Sequence, residues 1–254
     1  MTDLARAFAF MARGDIAGRR REPFAYGTAV SDDELPLRHD SNYLLVERPV
    51  DDPAVLVAAG EELRRAAGLG HIMLLFPDAS ESARLAPLLA PAGFGHERSV
   101  VMVARRPPER TADTVEVVEL DEPALRAART RGIRSYPWGS PEVAEQLVAA
   151  TSRIPIEARF FAVVVGGEVV SHTDLYLDGD AAQVEAVATD PAHRGRGYAS
   201  AIVLRAVAEA RAAGASFVFL VASADDWPRH LYSRLGFDDV GEYGKLLRVG
   251  PPPG

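Results

Sequence analysis

The stretch Glu185-Ala186-Val187-Ala188-Thr189-Asp190-Pro191-Ala192-His193-Arg194-Gly195-Arg196-Gly197-Tyr198-Ala199-Ser200 decides how the chain is read. An apolar strand-like run enters a turn marked by Asp190-Pro191, a glycine-rich loop follows, and a long alanine-rich helix begins. Gly195 and Gly197 let the backbone turn tightly and approach a ligand with no Cβ in the way. Unpaired amides at the start of the helix, with its dipole, favour an anion, and each such dipole interaction contributes roughly 0.3–2 kcal/mol. Arg194 and Arg196 add positive charge to the same place. A Gly-x-Gly before a helix also fits a simple turn. It is not a Walker loop, because no Gly-Lys-Ser/Thr follows. The third glycine of a dinucleotide fingerprint is missing too, position 200 being Ser.

Outward from this loop, the second half reads as an alternation of helices and strands. Residues 123–131 and 141–150 are predicted helices, each opened by a proline. Apolar or alternating runs at 160–165, 169–177 and 183–188 are separated by Gly166-Gly167 and Asp178-Gly179-Asp180, which is hairpin chemistry for antiparallel strands. A helix over 199–213 ends at Gly214, a strand follows at 217–222, a short helix at 228–235 and a last strand at 243–249. The order predicts an α/β fold on a mixed sheet. A polar, proline-bearing segment at 105–113 lies between expected strands at 100–104 and 115–118, so a junction is placed there, dividing the chain into 1–106 and 114–249. The tail 250–254, Gly-Pro-Pro-Pro-Gly, is expected to be extended or disordered.

Composition narrows the function classes. The chain has 254 residues, 48% of them hydrophobic, enough for one large domain or two small ones. No long uninterrupted apolar run is present and Asp3 follows the start at once, so neither a membrane span nor a signal peptide is expected. With no cysteine there are no disulfides, and a cytoplasmic protein fits best. A net charge of -8 argues against non-specific nucleic-acid binding. Lys245 is the only lysine among 28 basic residues, a bias that reflects composition rather than chemistry.

Arg194-Gly195-Arg196-Gly197-Tyr198-Ala199 resembles the Arg/Gln-x-x-Gly-x-Gly/Ala pyrophosphate loop of the GNAT acyltransferases, and Leu231-Tyr232-Ser233-Arg234-Leu235-Gly236-Phe237 is similar to that family's Leu-Tyr-x-x-Leu-Gly-Phe segment. The resemblance covers about residues 114–249. It implies a GNAT fold there and acetyl-CoA as cosubstrate, held between two splayed strands. The pantetheine would lie on the backbone of Val187, Ala188 and Thr189, and the pyrophosphate on the amides of the Arg194, Gly195, Arg196, Gly197, Tyr198, Ala199 and Ser200 loop. The acyl group would pass directly to an amine.

Direct transfer needs the ammonium deprotonated, the oxyanion stabilised and the thiolate protonated. By match to the family tyrosine, Tyr232 is the thiolate's acid, a buried packing tyrosine being the alternative. Glu185 is the candidate base, directly or through water, because an apolar strand desolvates its carboxylate; an outward, solvated glutamate is the alternative. The oxyanion would meet an amide near Val187 or Ala188. By the same resemblance Asp225 is a cofactor-binding position, but it stands where many relatives carry Asn; an ionised Asp accepts and cannot donate, so that contact is lost or runs through water. Tyr136, Trp138, His172 and Asp174 are candidates to line an acceptor pocket, with ordinary strand and loop packing as the other reading. No spacing suggests a metal. The acceptor is expected to be a small-molecule amine, with a protein N-terminus or a non-catalytic acyl-CoA sensor as alternatives; oligomeric state is not encoded.

The first half carries an echo. Residues 64–76, Arg-Arg-Ala-Ala-Gly-Leu-Gly-His-Ile-Met-Leu-Leu-Phe, resemble 210–220, and each copy runs on through a short helix to Gly-Phe, at Gly93-Phe94 and Gly236-Phe237. Two copies of one fold are expected, the first degenerate. Between its strand at 43–48 and its helix lies Pro49-Val50-Asp51-Asp52-Pro53, with no glycine and with carboxylates that would repel a pyrophosphate. Leu89 stands where the second copy has Tyr232. An unrelated α/β module is the simpler alternative. Arg19-Arg20-Arg21 reads as a solvated face.

Overall fold

The computed structural model describes residues 1–14, 19–109, 111, 112 and 114–250. Residues 251–254 of the expected extended tail, and Arg110 and Asp113 of the expected junction, lie outside the described residues. In the first half the elements are α1 (Asp3–Arg13), β1 (Arg20–Phe24), β2 (Gly27–Ser31), β3 (Tyr43–Val46), α2 (Pro53–Ala66), β4 (His71–Phe76), α3 (Ala79–Leu89) and β5 (Gly95–Ala104). The second half supplies β6 (Val118–Leu120), α4 (Glu122–Arg134), α5 (Pro141–Thr151), β7 (Glu157–Val165), β8 (Glu168–Asp178), β9 (Ala181–Thr189), α6 (Tyr198–Ala212), β10 (Phe217–Ser223), α7 (Pro228–Arg234) and β11 (Phe237–Val249). The strand expected at 115–118 instead begins at Val118, because the backbone turns before it, with the Val115 amide donating to the Ala112 carbonyl at 3.1 Å.

Contacts divide the chain into two compact units that do not follow chain order: Met1–Asp15 with Val101–Gly241, and Ile16–Val100 with Glu242–Gly254. The described residues of the proline-bearing segment, 105–109, 111 and 112, therefore belong to the first unit. Two long strands account for this. β11 begins in the first unit, and its later residues pair antiparallel with β4, from Gly244 opposite Phe76 to Val249 opposite His71. β5 begins in the second unit, and its later residues stand beside β10 in the strand order of the first.

In the first unit the antiparallel run β6-β7-β8-β9 is continued by β10, which pairs with β9 in parallel. α4 and α6 cover opposite faces. Leu125 of α4 packs with Phe160 and Ala162 of β7, whereas the next residue along, Arg159, turns to Glu209 of α6 at 2.8 Å, as strand alternation requires. α1 was not foreseen. Thr2 caps it, and its apolar face buries Ala7 and Phe10, the latter edge-on to Phe219 with ring centroids 5.3 Å apart. In the second unit the order is β1-β2-β3-β4-β11-β5, with α2 and α3 beside a core of Leu44, Leu56, Leu74, Phe76, Leu85 and Leu246. Arg20 pairs with Asp33 at 2.6 Å and Arg19 donates to the Ser41 hydroxyl at 3.1 Å.

The internal echo has a conformational counterpart. Gly68 and Gly214 follow the paired helices at φ +64° and +93°, and Gly93 and Gly236 precede the last strands at φ +85° and +94°. All four sit in the left-handed region that L side chains adopt only at a cost. No helix among the described residues is long and apolar enough to cross a membrane.

Candidate active site

β9 and β10 pair over three rungs only, from Phe217 opposite Ala181 to Phe219 opposite Gln183. Beyond Gln183 the two strands part, although β9 continues to Thr189 and β10 to Ser223. The expected splay is therefore present, and its wall on the β9 side is irregular. Between the cross-strand pairs Asp174–Glu185 and His172–Ala188, β8 places Thr173 against both Ala186 and Val187. This is a β-bulge, which takes backbone groups out of the ladder. Ala186 is the only non-glycine residue with positive φ among the described residues, at +53°. Sequence inspection missed it, because an alanine in an apolar run carries no sign of such a backbone. The Ser171 hydroxyl braces the strand end, donating to the Ala188 carbonyl at 2.9 Å and lying 2.8 Å from the Thr189 hydroxyl.

The strand leads into the loop. Asp190 caps the turn by accepting from the Ala192 amide at 3.0 Å. Gly195 and Gly197 take φ +75° and +81°, and a Cβ at either would meet nothing within 4 Å. Their glycine character is demanded by backbone conformation and leaves open space above the loop. Gly197 is the N-cap of α6, and no side chain caps that end. The amides of Tyr198, Ala199 and Ser200 thus begin the helix without a side-chain acceptor, the arrangement that receives an anion. Arg194 folds back, its Nε 3.3 Å from the Thr189 carbonyl, while Arg196 is exposed. These residues fit a pyrophosphate.

Tyr232 lies on α7, is 8% exposed and packs against Phe237 with centroids 6.2 Å apart. Burial, with the nearby carboxylates of Glu185 and Asp226, pushes its hydroxyl up to about 12, so it remains protonated through the neutral range. Glu185 also acts on Tyr176, whose hydroxyl is raised by burial and by the Asp174 carboxylate it donates to at 2.8 Å. Glu185, Tyr176 and Tyr232 therefore share one electrostatic neighbourhood at the splay. Asp225 is exposed on the connection between β10 and α7.

The acceptor-pocket candidates separate. Asp174 is 1% exposed and accepts two bonds from Arg129 of α4, at 2.7 and 3.0 Å. Burial raises its carboxyl, opposed by that guanidinium. His172 is 7% exposed, and burial followed by Arg129 and Arg131 lowers it to about 4, leaving a neutral ring. Tyr136 and Trp138 stack at 4.9 Å with 9° between their planes, and both are more than half exposed. Arg129, Tyr176 and Gln183 were missed; an Arg in an Arg-rich helix and a lone Gln in a strand give no signal until the strands are paired. Arg129→Met is expected to cost about 3–5 kcal/mol, because it leaves Asp174 buried without its partner. Arg129→Met with Asp174→Leu should recover most of that loss. Denaturant midpoints of the two variants check this, and equal midpoints would remove the ion pair from the account of stability. Among the described residues no cluster of His, Asp and Glu could hold a metal.

A parallel strand pair that opens over a bulge, beside a glycine loop and an uncapped helix, defines the class as the acetyltransferase fold. The family follows: residues 119–237 match the model of the Acetyltransferase (GNAT) family, and the chain carries a GNAT acetyltransferase domain over that span. Solved structures resemble the chain in fold well beyond it. A functionally unknown conserved protein from Staphylococcus epidermidis ATCC 12228 is 14% identical with a TM-score of 0.69, over 92% of this chain and 95% of that one. A GCN5-related N-acetyltransferase from Kribbella flavida is 20% identical at 0.65, over 100% and 97%. A tandem GNAT protein from the clavulanic acid biosynthesis pathway is 14% identical at 0.52, over 83% and 76%. No curated protein matches the chain.

Proposed function

We propose that the chain is an acetyl-CoA-dependent N-acetyltransferase acting on the amine of a small-molecule acceptor by direct transfer. The observation that carries this is the β9–β10 pair, which parts after Gln183, with Glu185 two residues further along β9 and Tyr232 buried on α7. Acetyl-CoA supplies the activated acyl group. The amides at Gly197–Ser200 would hold its pyrophosphate, and the bulged backbone at Val187 and Ala188 would hold its pantetheine and offer a donor where the oxyanion develops. Glu185 accepts the ammonium proton, directly or through water, and Tyr232 returns a proton to the departing thiolate.

The second unit is, in this reading, a degenerate copy that binds no cosubstrate. Asp52 caps α2 by accepting from the Ala54 amide at 2.9 Å, so a carboxylate already occupies the place a phosphate would take. Leu89, at the position of Tyr232, is buried in the core.

Thiol release from acetyl-CoA over a panel of amines tests the proposal. Turnover with a small amine supports it. Turnover only with a peptide N-terminus would make the acceptor a protein. Binding without turnover would favour an acyl-CoA sensor, a reading that Asp225 in place of the family's Asn keeps open.

A further inference from the structure

We propose that Gln183 is a positioning residue that holds the Glu185 carboxylate in its working orientation at the apex of the splayed strands. The proposal rests on the reading of Glu185 as base and deepens it.

Gln183 forms the last rung between β9 and β10, opposite Phe219, and on its other side pairs with Tyr176 of β8. It is 9% exposed. Two residues further on, where β10 has parted from β9, stands Glu185. Residues two apart on a strand share a face, and the Gln183 amide uses this by donating from Nε2 to Glu185 Oε2 at 2.6 Å. A buried amide anchored between two paired strands thus grips a carboxylate whose own strand is paired on one side only. Holding that carboxylate in one rotamer fixes a base within hydrogen-bond reach of the acceptor, which is worth rate.

The bond has a direction. An N–H donates to the ionised carboxylate and favours the charged, proton-accepting form. It acts among the titratable and charged groups packed around Glu185. Asp174 stands directly opposite on β8 and is neutralised by Arg129 of α4, with Glu122 of α4 nearby. Tyr176 of β8 and Tyr232 of α7 are both raised, with Glu185 among the causes, and Asp226 adds to the effect at Tyr232. All of these remain in place in Gln183→Met, which keeps volume and removes the donor.

The expected result is that the acid limb of the kcat/KM pH profile moves up by roughly one pH unit in Gln183→Met, the size expected for one charge-assisted bond. Acetyl-CoA affinity should stay within about threefold, because the pyrophosphate loop is untouched. A second measurement needs no turnover: carbon-13 NMR titration of the Glu185 carboxyl in the full chain, assigned through Glu185→Gln. Its midpoint should rise by the same amount in Gln183→Met. A midpoint and an acid limb that stay where they are in a folded Gln183→Met protein would overturn the proposal. If the NMR midpoint moves and no amine is turned over, the role of Gln183 in holding the carboxylate stands and the enzymatic reading of the site falls.

Discussion

Gly197→Glu is expected to abolish acetyl-CoA binding, with a dissociation constant at least about 100-fold weaker by calorimetry. Two effects combine. At φ +81° any L residue costs roughly 1–2 kcal/mol, and the new carboxylate sits at the uncapped start of α6, where it repels a pyrophosphate and competes for the amides of Tyr198, Ala199 and Ser200. The two can be separated. Gly197→Ala carries the strain without the charge and should weaken binding less. Gly214→Ala places the same strain beyond the other end of α6, at φ +93°; it should lower stability and leave the dissociation constant unchanged. If Gly197→Glu bound as tightly as the parent protein, the loop would not be the phosphate site. The stoichiometry carries its own test, with one site per chain expected because Asp52 caps the corresponding helix of the second unit. Two sites would restore a cosubstrate to that unit.

Tyr232→Phe is expected to lower kcat for thiol release by about 10²–10⁴, the range of a positioned general acid. The acetyl-CoA dissociation constant should stay within about threefold. Phenylalanine preserves the ring against Phe237 and removes only the hydroxyl, so a fall in kcat without a change in binding isolates proton transfer. Because that hydroxyl lies near 12, it is protonated at every pH at which the enzyme would be assayed. The alkaline limb of the profile should therefore not reflect it below pH 10. An unchanged kcat would reassign Tyr232 to packing and leave the family membership of the domain untouched.

Much of the second half was legible because its signals are local. The pairs Gly166-Gly167 and Gly179-Asp180 define hairpins, Pro141 opens a helix, and Gly195 and Gly197 occupy conformations that few other residues tolerate. Each depends on a few neighbouring residues, so each can be read without knowing what lies across the sheet. The glycines of the internal echo belong with these, since positive φ at Gly68, Gly93, Gly214 and Gly236 is a property of the backbone at that point. The candidate base and acid were legible by position within motifs, but their surroundings were not. Asp174, read as a possible acceptor contact, is held by Arg129, which lies 45 positions away in sequence. Gln183 acquires a role only once it is seen to be the last rung before the strands part.

The sequence by itself determined the order of helices and strands in the second half, the glycine loop and its charge, and the absence of that loop from the first half. Tertiary structure decided where the chain divides. β11 carries apolar residues along its length and β5 over 100–104, and such a run fits any open sheet edge of matching register. Which edge it takes depends on the sum of contacts made far away along the chain, with β4 for β11 and with β10 for β5. The same holds for the bulge at Ala186. No feature of that alanine demands φ +53°; Thr173 across the ladder and the paired residues on either side impose it. Local backbone chemistry is written in single residues, and strand pairing is a property of the whole set.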